Sequence, residues 1–227
     1  AEKFFDIKCR IAGLKPSAVV IVATIRALKM HGGVALADLS KPDVEALDKG
    51  SANLLAHIQN LGKFGVPVVV ALNRFTSDTE EEIAFLQKKL KVLNIDCVLN
   101  EGWAKGGQGA VPLAEAVVKL CETKSDFKFL YESDLSLKEK IEKLAIEIYR
   151  ADRVDFSSVA LKKLEKFQSE GYGNLPVCVA KTQNSISHDK NWRGLPENYT
   201  FPVRDVQLYA GAGFIIVLAG DIMIMPG

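Results

Sequence analysis

Two stretches of the chain, Ala18-Val-Val-Ile-Val-Ala23 and Pro67-Val-Val-Val-Ala-Leu72, are apolar without a break. Unbroken β-branched runs of this length fit parallel strands covered on both faces, so both are expected to be central strands. Between them Val44, Leu47, Leu54, Leu55, Ile58 and Leu61 recur at helical spacing after Pro42-Asp43. That stripe predicts a helix over 44–63 and hence a βαβ crossover. Thr79 then precedes Glu80, Glu81 and Glu82 and a second stripe through Ile83, Leu86 and Leu90. A hydroxyl cap followed by an acidic first turn favours a helix start. Cys97-Val-Leu99 reads as a third short strand, Gly106-Gly-Gln-Gly109 as a loop, and Pro112 as the opening of a helix that ends near Cys121.

The pattern changes after Ser125-Asp126. Charged helices are expected over 136–149 and 157–170, the first with a capping box at Ser136 and Glu139. Strand-like residues follow from Leu175 to Ala180, a polar segment from Lys181 to Asn198, and alternating strands from Phe201 to Gly220. The fold class expected is α/β: a parallel-sheet α/β region with flanking helices over 1–124, then a smaller α+β domain over 125–227. No internal repeat or low-complexity segment interrupts it.

Composition narrows the function classes. At 227 residues, 48% hydrophobic and 25% charged, the chain matches a soluble globular protein with a sizeable core. A net charge of +1, with no basic block interleaved with aromatics, argues against a nucleic-acid partner. The longest apolar runs fall well short of the roughly 20 residues of a membrane span, so no membrane partner is expected. Cys9, Cys97, Cys121 and Cys178 stand singly, with no metal-ligand spacing. They read as reduced thiols of a cytoplasmic protein, with no metal site. No signal peptide is visible, although a chain that starts at Ala1 rather than Met says little about its natural start.

Nothing in the chain fits GxxxxGK followed by Ser or Thr, so a nucleotide-phosphate cradle is not encoded here. The stretch from Val70 to Asp78 leaves a buried strand at the edge where open α/β sheets bind ligands. Phe75 lies there, and Trp103 follows the next strand. Two such rings are suited to sandwich a flat heterocycle, or else to close the core beneath the loops. Arg26 and Lys29, just past the first strand, suit a phosphate or carboxylate, or a structural ion pair. His31 beside them is a candidate for titration near neutral pH or for capping a turn. Lys181 and Thr182 are polar after a buried strand and candidates to reach a ligand. Gly211-Ala-Gly213 fits either close backbone approach or a tight turn. The Asn73 to Asp78 segment loosely imitates a guanine-reading loop, but without a phosphate loop the base contacts lack support.

Longer words are recognisable as well: Ala1-Glu-Lys-Phe-Phe-Asp-Ile-Lys-Cys-Arg10, Val22-Ala-Thr-Ile-Arg-Ala-Leu-Lys-Met-His-Gly-Gly33, Phe64-Gly-Val-Pro-Val-Val-Val70, Trp103-Ala-Lys-Gly-Gly107, Gly173-Asn-Leu-Pro176, Ala180-Lys-Thr182 and Gly211-Ala-Gly-Phe214. In this order they resemble the C-terminal portion of formate-tetrahydrofolate ligases. The resemblance implies an enzyme that forms 10-formyltetrahydrofolate from formate, ATP with Mg, and tetrahydrofolate, through formyl phosphate. It implies that the phosphate loop belongs to an N-terminal portion not present here, and that Met225-Pro-Gly227 lies just short of the usual end. The chain alone is then expected to be inactive, with no tightly bound cofactor, and the whole enzyme to be a homo-oligomer. Phe75 and Trp103 match the family's pterin-stacking aromatics, with Leu99 and Thr76 at positions lining the same slot. Thr76 stands where many relatives carry Pro. Arg26, Lys181 and Thr182 fall in family motifs, with Lys29 as a further candidate anion or nucleotide contact. The alternative is a stand-alone folate-binding module without catalysis.

Overall fold

The computed structural model describes residues 1–220 and 222. Met225-Pro-Gly227 lies outside them. By its internal contacts the chain divides into two units, one of Lys15–Lys128 with Arg193–Leu195, the other of Ala1–Leu14, Phe129–Trp192 and the residues from Pro196 onward. Residues 1–14 cluster with the residues from Phe129 onward, and the main segment of the other unit ends at Lys128. A π-helix, Lys3–Cys9, runs there into the single turn α1 (Arg10–Ala12). Asp6 of the π-helix accepts from the Leu130 amide (2.9 Å), and Arg10 lies over the Phe129 ring at 4.0 Å.

The unit of residues 15–128 is built on a parallel sheet, β1 (Val19–Ala23), β2 (Val68–Asn73) and β3 (Cys97–Asn100), in that spatial order. Between β1 and β2 the chain passes through α2 (Ile25–His31) and α3 (Val44–Gly62); α4 (Glu80–Lys91) leads to β3. The βαβ pattern is as the hydrophobic stripes predict. Val70 and Leu72 of β2 pack with Ile25, Leu28, Leu47, Leu54, Ile83, Leu86 and Leu90 in one core. Burial of such aliphatic side chains contributes about 1.5–3 kcal/mol each.

Two expectations change here. β2 is central, but β1 is one of the two border strands among the described residues, and Val20 and Val22 are 39% and 62% exposed. No described helix covers that face of β1. The glycine cluster is not a loop throughout: α5 (Gly102–Lys105) is followed directly by α6 (Gly107–Cys121). Only Gly106 breaks the helix, at φ 58° and ψ −146°, a conformation that a Cβ forbids;. Pro112 consequently lies inside α6 rather than at its start.

The other unit carries α7 (Leu137–Glu147), β4 (Arg153–Phe156), α8 (Ser158–Phe167) and a second π-helical turn at Gln168–Tyr172. β5 (Val177–Ala180), β6 (Thr200–Val203), β7 (Asp205–Tyr209) and β8 (Phe214–Leu218) complete it. β4 pairs with β6 in parallel, while β8 pairs with β5 in parallel and with β7 antiparallel. The capping box of Ser136 and Glu139 forms as read from the sequence. Gly213, at φ 74°, closes the turn between β7 and β8, which favours the tight-turn reading of that motif;. All four thiols are free, Cys9 buried and Cys121 exposed. No helix among the described residues is long and apolar enough to cross a membrane.

Candidate functional site

A cavity of about 470 Å³ opens at the carboxyl ends of the parallel strands and is lined by Thr24, Asn73, Arg74, Phe75, Thr76, Asn100 and Trp103. This is the edge at which the loops of a parallel sheet diverge and leave a crevice. Phe75 is 42% exposed and Trp103 89% exposed, so neither ring closes the core. Two large aromatic faces held out of the core beside one cavity form a slot suited to a flat, partly apolar ligand.

The Phe75 wall is held from three sides. Asp78 accepts from the Phe75 amide (2.8 Å) and donates its own amide back to the Phe75 carbonyl (3.1 Å), which locks the four-residue turn. The Arg26 guanidinium lies over the ring, 5.2 Å from its centroid, a cation–π contact;. Asp78 is 7% exposed, and burial pushes its pKa up against the Phe75 amide bond that lowers it. Directly beyond the turn, Thr79 and Glu82 form a capping box that starts α4.

Glu82 ties this loop to the rest of the unit. Its carboxylate accepts from Lys29 Nζ (2.8 Å), the Asp43 amide (3.1 Å), and the Thr79 amide and hydroxyl (3.1 and 3.0 Å). Both side chains of the Lys29–Glu82 pair are fully buried. Burial raises the Glu82 pKa, but the Lys29 bond and the backbone amides outweigh it and hold the carboxyl below its ordinary value.

The Trp103 wall stands on α5. Arg74 bridges Glu80 at the start of α4 and Glu101 before α5, the latter at 3.3 Å. Lys105 also bonds Glu101 (2.5 Å), and this bond is the main reason the Glu101 carboxyl is held below its usual range. The Glu101 amide donates to the Gly109 carbonyl (3.1 Å), and a Cβ on Gly109 would stand 2.4 Å from the Glu101 oxygen. Glycine is therefore required where the first turn of α6 passes the Glu101–Gly102 backbone.

Comparison with known proteins names the scaffold. The family model for formate-tetrahydrofolate ligase matches residues 1–227. A formate-tetrahydrofolate ligase of Granulibacter bethesdensis is 54% identical over 228 residues, covering all of this chain and 40% of the relative. One of Symbiobacterium thermophilum is 52% identical, covering all of this chain and 41% of the relative. The chain belongs to the formate-tetrahydrofolate ligase family. It spans about two fifths of the length of these curated ligases.

Of the residues that the ligase resemblance marks, the structure brings Phe75, Trp103 and Thr76 to one cavity. Leu99 is on the opposite face of β3, packed against the core cluster rather than lining the slot. Strand alternation explains it: Leu99 shares its face with Cys97, while Asn100 turns the other way. Arg26 joins the slot through the Phe75 ring. Lys29 is a correction: its ammonium is committed to Glu82 and to the Lys41 carbonyl (2.8 Å) and is not offered to an anion. His31 accepts from the Gly194 amide (3.2 Å), which fits the turn-capping role.

Lys181 and Thr182 belong to the other unit. Lys181 donates to the Thr182 and Ser185 carbonyls and lies 5.2 Å from the Tyr149 ring centroid, with its pKa lowered to about 8 by burial. The Thr182 hydroxyl accepts from the Asn184 amide (3.2 Å). No set of three or more His, Cys, Asp or Glu among the described residues is placed to hold a metal ion. No step is therefore assigned to Mg on these residues. Thr24 and Asn100 line the cavity without having been marked by sequence reasoning, and Asn73 is marked only as the start of a loop resembling a guanine reader. The available signal was their position one residue past, or at, the ends of three predicted strands.

Proposed function

We propose that this chain supplies the pterin-binding slot of a formate-tetrahydrofolate ligase, with Phe75 and Trp103 as its stacking walls. The observation that carries the reading is the pair of exposed rings on one cavity at the carboxyl edge of a parallel sheet, in a chain of this family. In the whole enzyme formate attacks the γ-phosphate of ATP to give formyl phosphate and ADP. N10 of tetrahydrofolate then attacks the formyl carbon, the C–O bond to phosphate breaks, and N10 gives up its proton. Stacking fixes the pterin plane and so the line of approach of N10, which is catalysis by positioning. ATP and formate activation belong to the longer protein, which is cytoplasmic and homo-oligomeric in this reading, and the isolated chain turns over no ATP.

Calorimetric titration of the chain with tetrahydrofolate tests the slot. Phe75→Ala and Trp103→Ala each remove a stacking face and its buried area, with an expected loss of about tenfold to a hundredfold in affinity. Unchanged affinity in both variants would sink the proposal. A stand-alone folate-binding module is separated by the full-length enzyme: there Phe75→Ala raises the KM for tetrahydrofolate in formate-dependent ADP release.

A further inference from the structure

Three of the polar side chains that line the cavity, Thr24, Asn73 and Asn100, have hydrogen bonds that determine which way each one faces. Asn73 and Asn100 are register partners at the ends of β2 and β3. Thr24 follows Ala23, the partner of Leu72, and keeps extended backbone at φ −137° and ψ 142°. Alternate residues of extended chain share a face, so Thr24, Asn73 and Asn100 form one row across the sheet end.

The orientation of the row follows from one backbone amide. The Gly102 N–H can only donate, and it donates to Asn100 Oδ1 (3.2 Å);. The other terminus of Asn100 is therefore nitrogen, and it donates to Asn73 Oδ1 (2.8 Å). Asn73, a lining residue of the cavity, is left with its Nδ2, two N–H bonds that have no protein partner among the described residues;. Thr24 Oγ1 accepts from the Ala27 amide (3.1 Å), which leaves its hydroxyl hydrogen to donate as well. The free end of Asn73 thus offers donors alone, with the Thr24 hydroxyl able to donate beside it;.

Stacking alone accepts any flat ring, because every heterocycle has a π-face. Selection has to come from the edge. We infer that the Thr24–Asn73–Asn100 row reads the oxo edge of the pterin, donating to its C4 carbonyl oxygen, and so selects 4-oxo over 4-amino heterocycles. This rests on the pterin-slot reading above. A carbonyl is the strongest acceptor on that edge of the ring. An amino group in its place would point N–H at N–H and leave both unpaired, which is how a polar site rejects a near-isostere.

The test is a calorimetric comparison of tetrahydrofolate with its 4-amino counterpart, tetrahydroaminopterin, on the wild-type chain and on Asn73→Asp and Asn100→Asp. The wild type should favour tetrahydrofolate by at least about tenfold. Asn73→Asp turns an acceptor toward the cavity and should reverse the preference. Asn100→Asp should do the same at one remove: its carboxylate still accepts from Gly102, and its second oxygen draws the Asn73 amide nitrogen inward, turning Asn73 Oδ1 outward. Circular dichroism establishes which variants are folded, and the wild-type ratio stands as a test by itself. A wild-type ratio within about twofold of unity, or folded variants that keep the wild-type ratio, overturns the donor row and leaves the slot intact. Failure of the wild type to bind either compound overturns the slot and the row together.

Discussion

Removing the charge of Glu82 is the most informative perturbation of this unit. Glu82→Gln leaves the fully buried Lys29 ammonium with neutral acceptors, the Lys41 carbonyl and the new amide oxygen, and no counter-charge;. An uncompensated buried charge costs about 3–5 kcal/mol. Lys29→Met removes the cation instead, and the carboxylate keeps three other donors, from Asp43 and Thr79. Its cost is expected at the lower end of the same range. In the double variant neither charge remains, so its cost should fall short of the sum of the singles by about 2 kcal/mol or more. Urea unfolding followed by circular dichroism gives all four values. The pH dependence adds a sign. The folded pKa of Glu82 is depressed, so its contribution is present above the unfolded value near about 4.3 and is lost as pH falls through the folded one. The gap between wild type and Glu82→Gln should therefore narrow in acid. Additivity of the two single changes within about 0.5 kcal/mol would refute the reasoning.

Three further outcomes are expected. Burial pushes the Asp6 pKa up to about 6, and its Oδ2 is buried without a hydrogen-bond partner. A raised folded pKa contributes stability below the unfolded value near about 4, lost as pH rises through the folded one, so the advantage of wild type over Asp6→Asn should decline between those values in denaturation series. Gly50→Ala would set a Cβ 1.8 Å from the Leu28 carbonyl oxygen, where α2 and α3 touch. Overpacking of this kind should cost about 1–3 kcal/mol or more, read as a lowered melting temperature. Lys140 is fully buried and its ammonium donates to the carbonyls of Ser133, Gly173 and Leu175 at 2.7, 2.6 and 3.3 Å. Lys140→Met leaves those acceptors unpaired and should destabilise the chain by about 2–4 kcal/mol in urea.

The strands, the long helices and their caps are legible in the sequence because each rests on local patterning. Val68 to Leu72, the stripe of α3 and the Thr79 cap need only their own neighbours to declare themselves. What local pattern does not encode is which segments meet. Ala1 to Leu14 join the later unit through Asp6, Leu130 and Arg10, pairings more than a hundred residues apart in sequence. The exposure of Val20 and Val22 follows from where β1 stands in the sheet, and a run of valines reads the same at a border as in the centre. At the site, resemblance marks Phe75 and Trp103, but Leu99 faces the wrong way for the slot and Lys29 is spent on Glu82. Strand parity, once β3 is accepted, already separates Leu99 from Asn100. The buried ion pair is less accessible, since it joins a helix end to a cap 53 residues away.

The two walls of the slot also differ in how light would report on them. The Phe75 ring absorbs and emits only weakly, whereas Trp103, 89% exposed on a helix of four residues, emits as an indole in water. A heterocycle laid against it would shield and quench that emission. The second of the two tryptophans, Trp192, belongs to the other unit. With Trp192→Phe as the background, the chain carries a single tryptophan, beside its own cavity and excited selectively beyond the tyrosine absorption, an optical gauge of occupancy that needs no label.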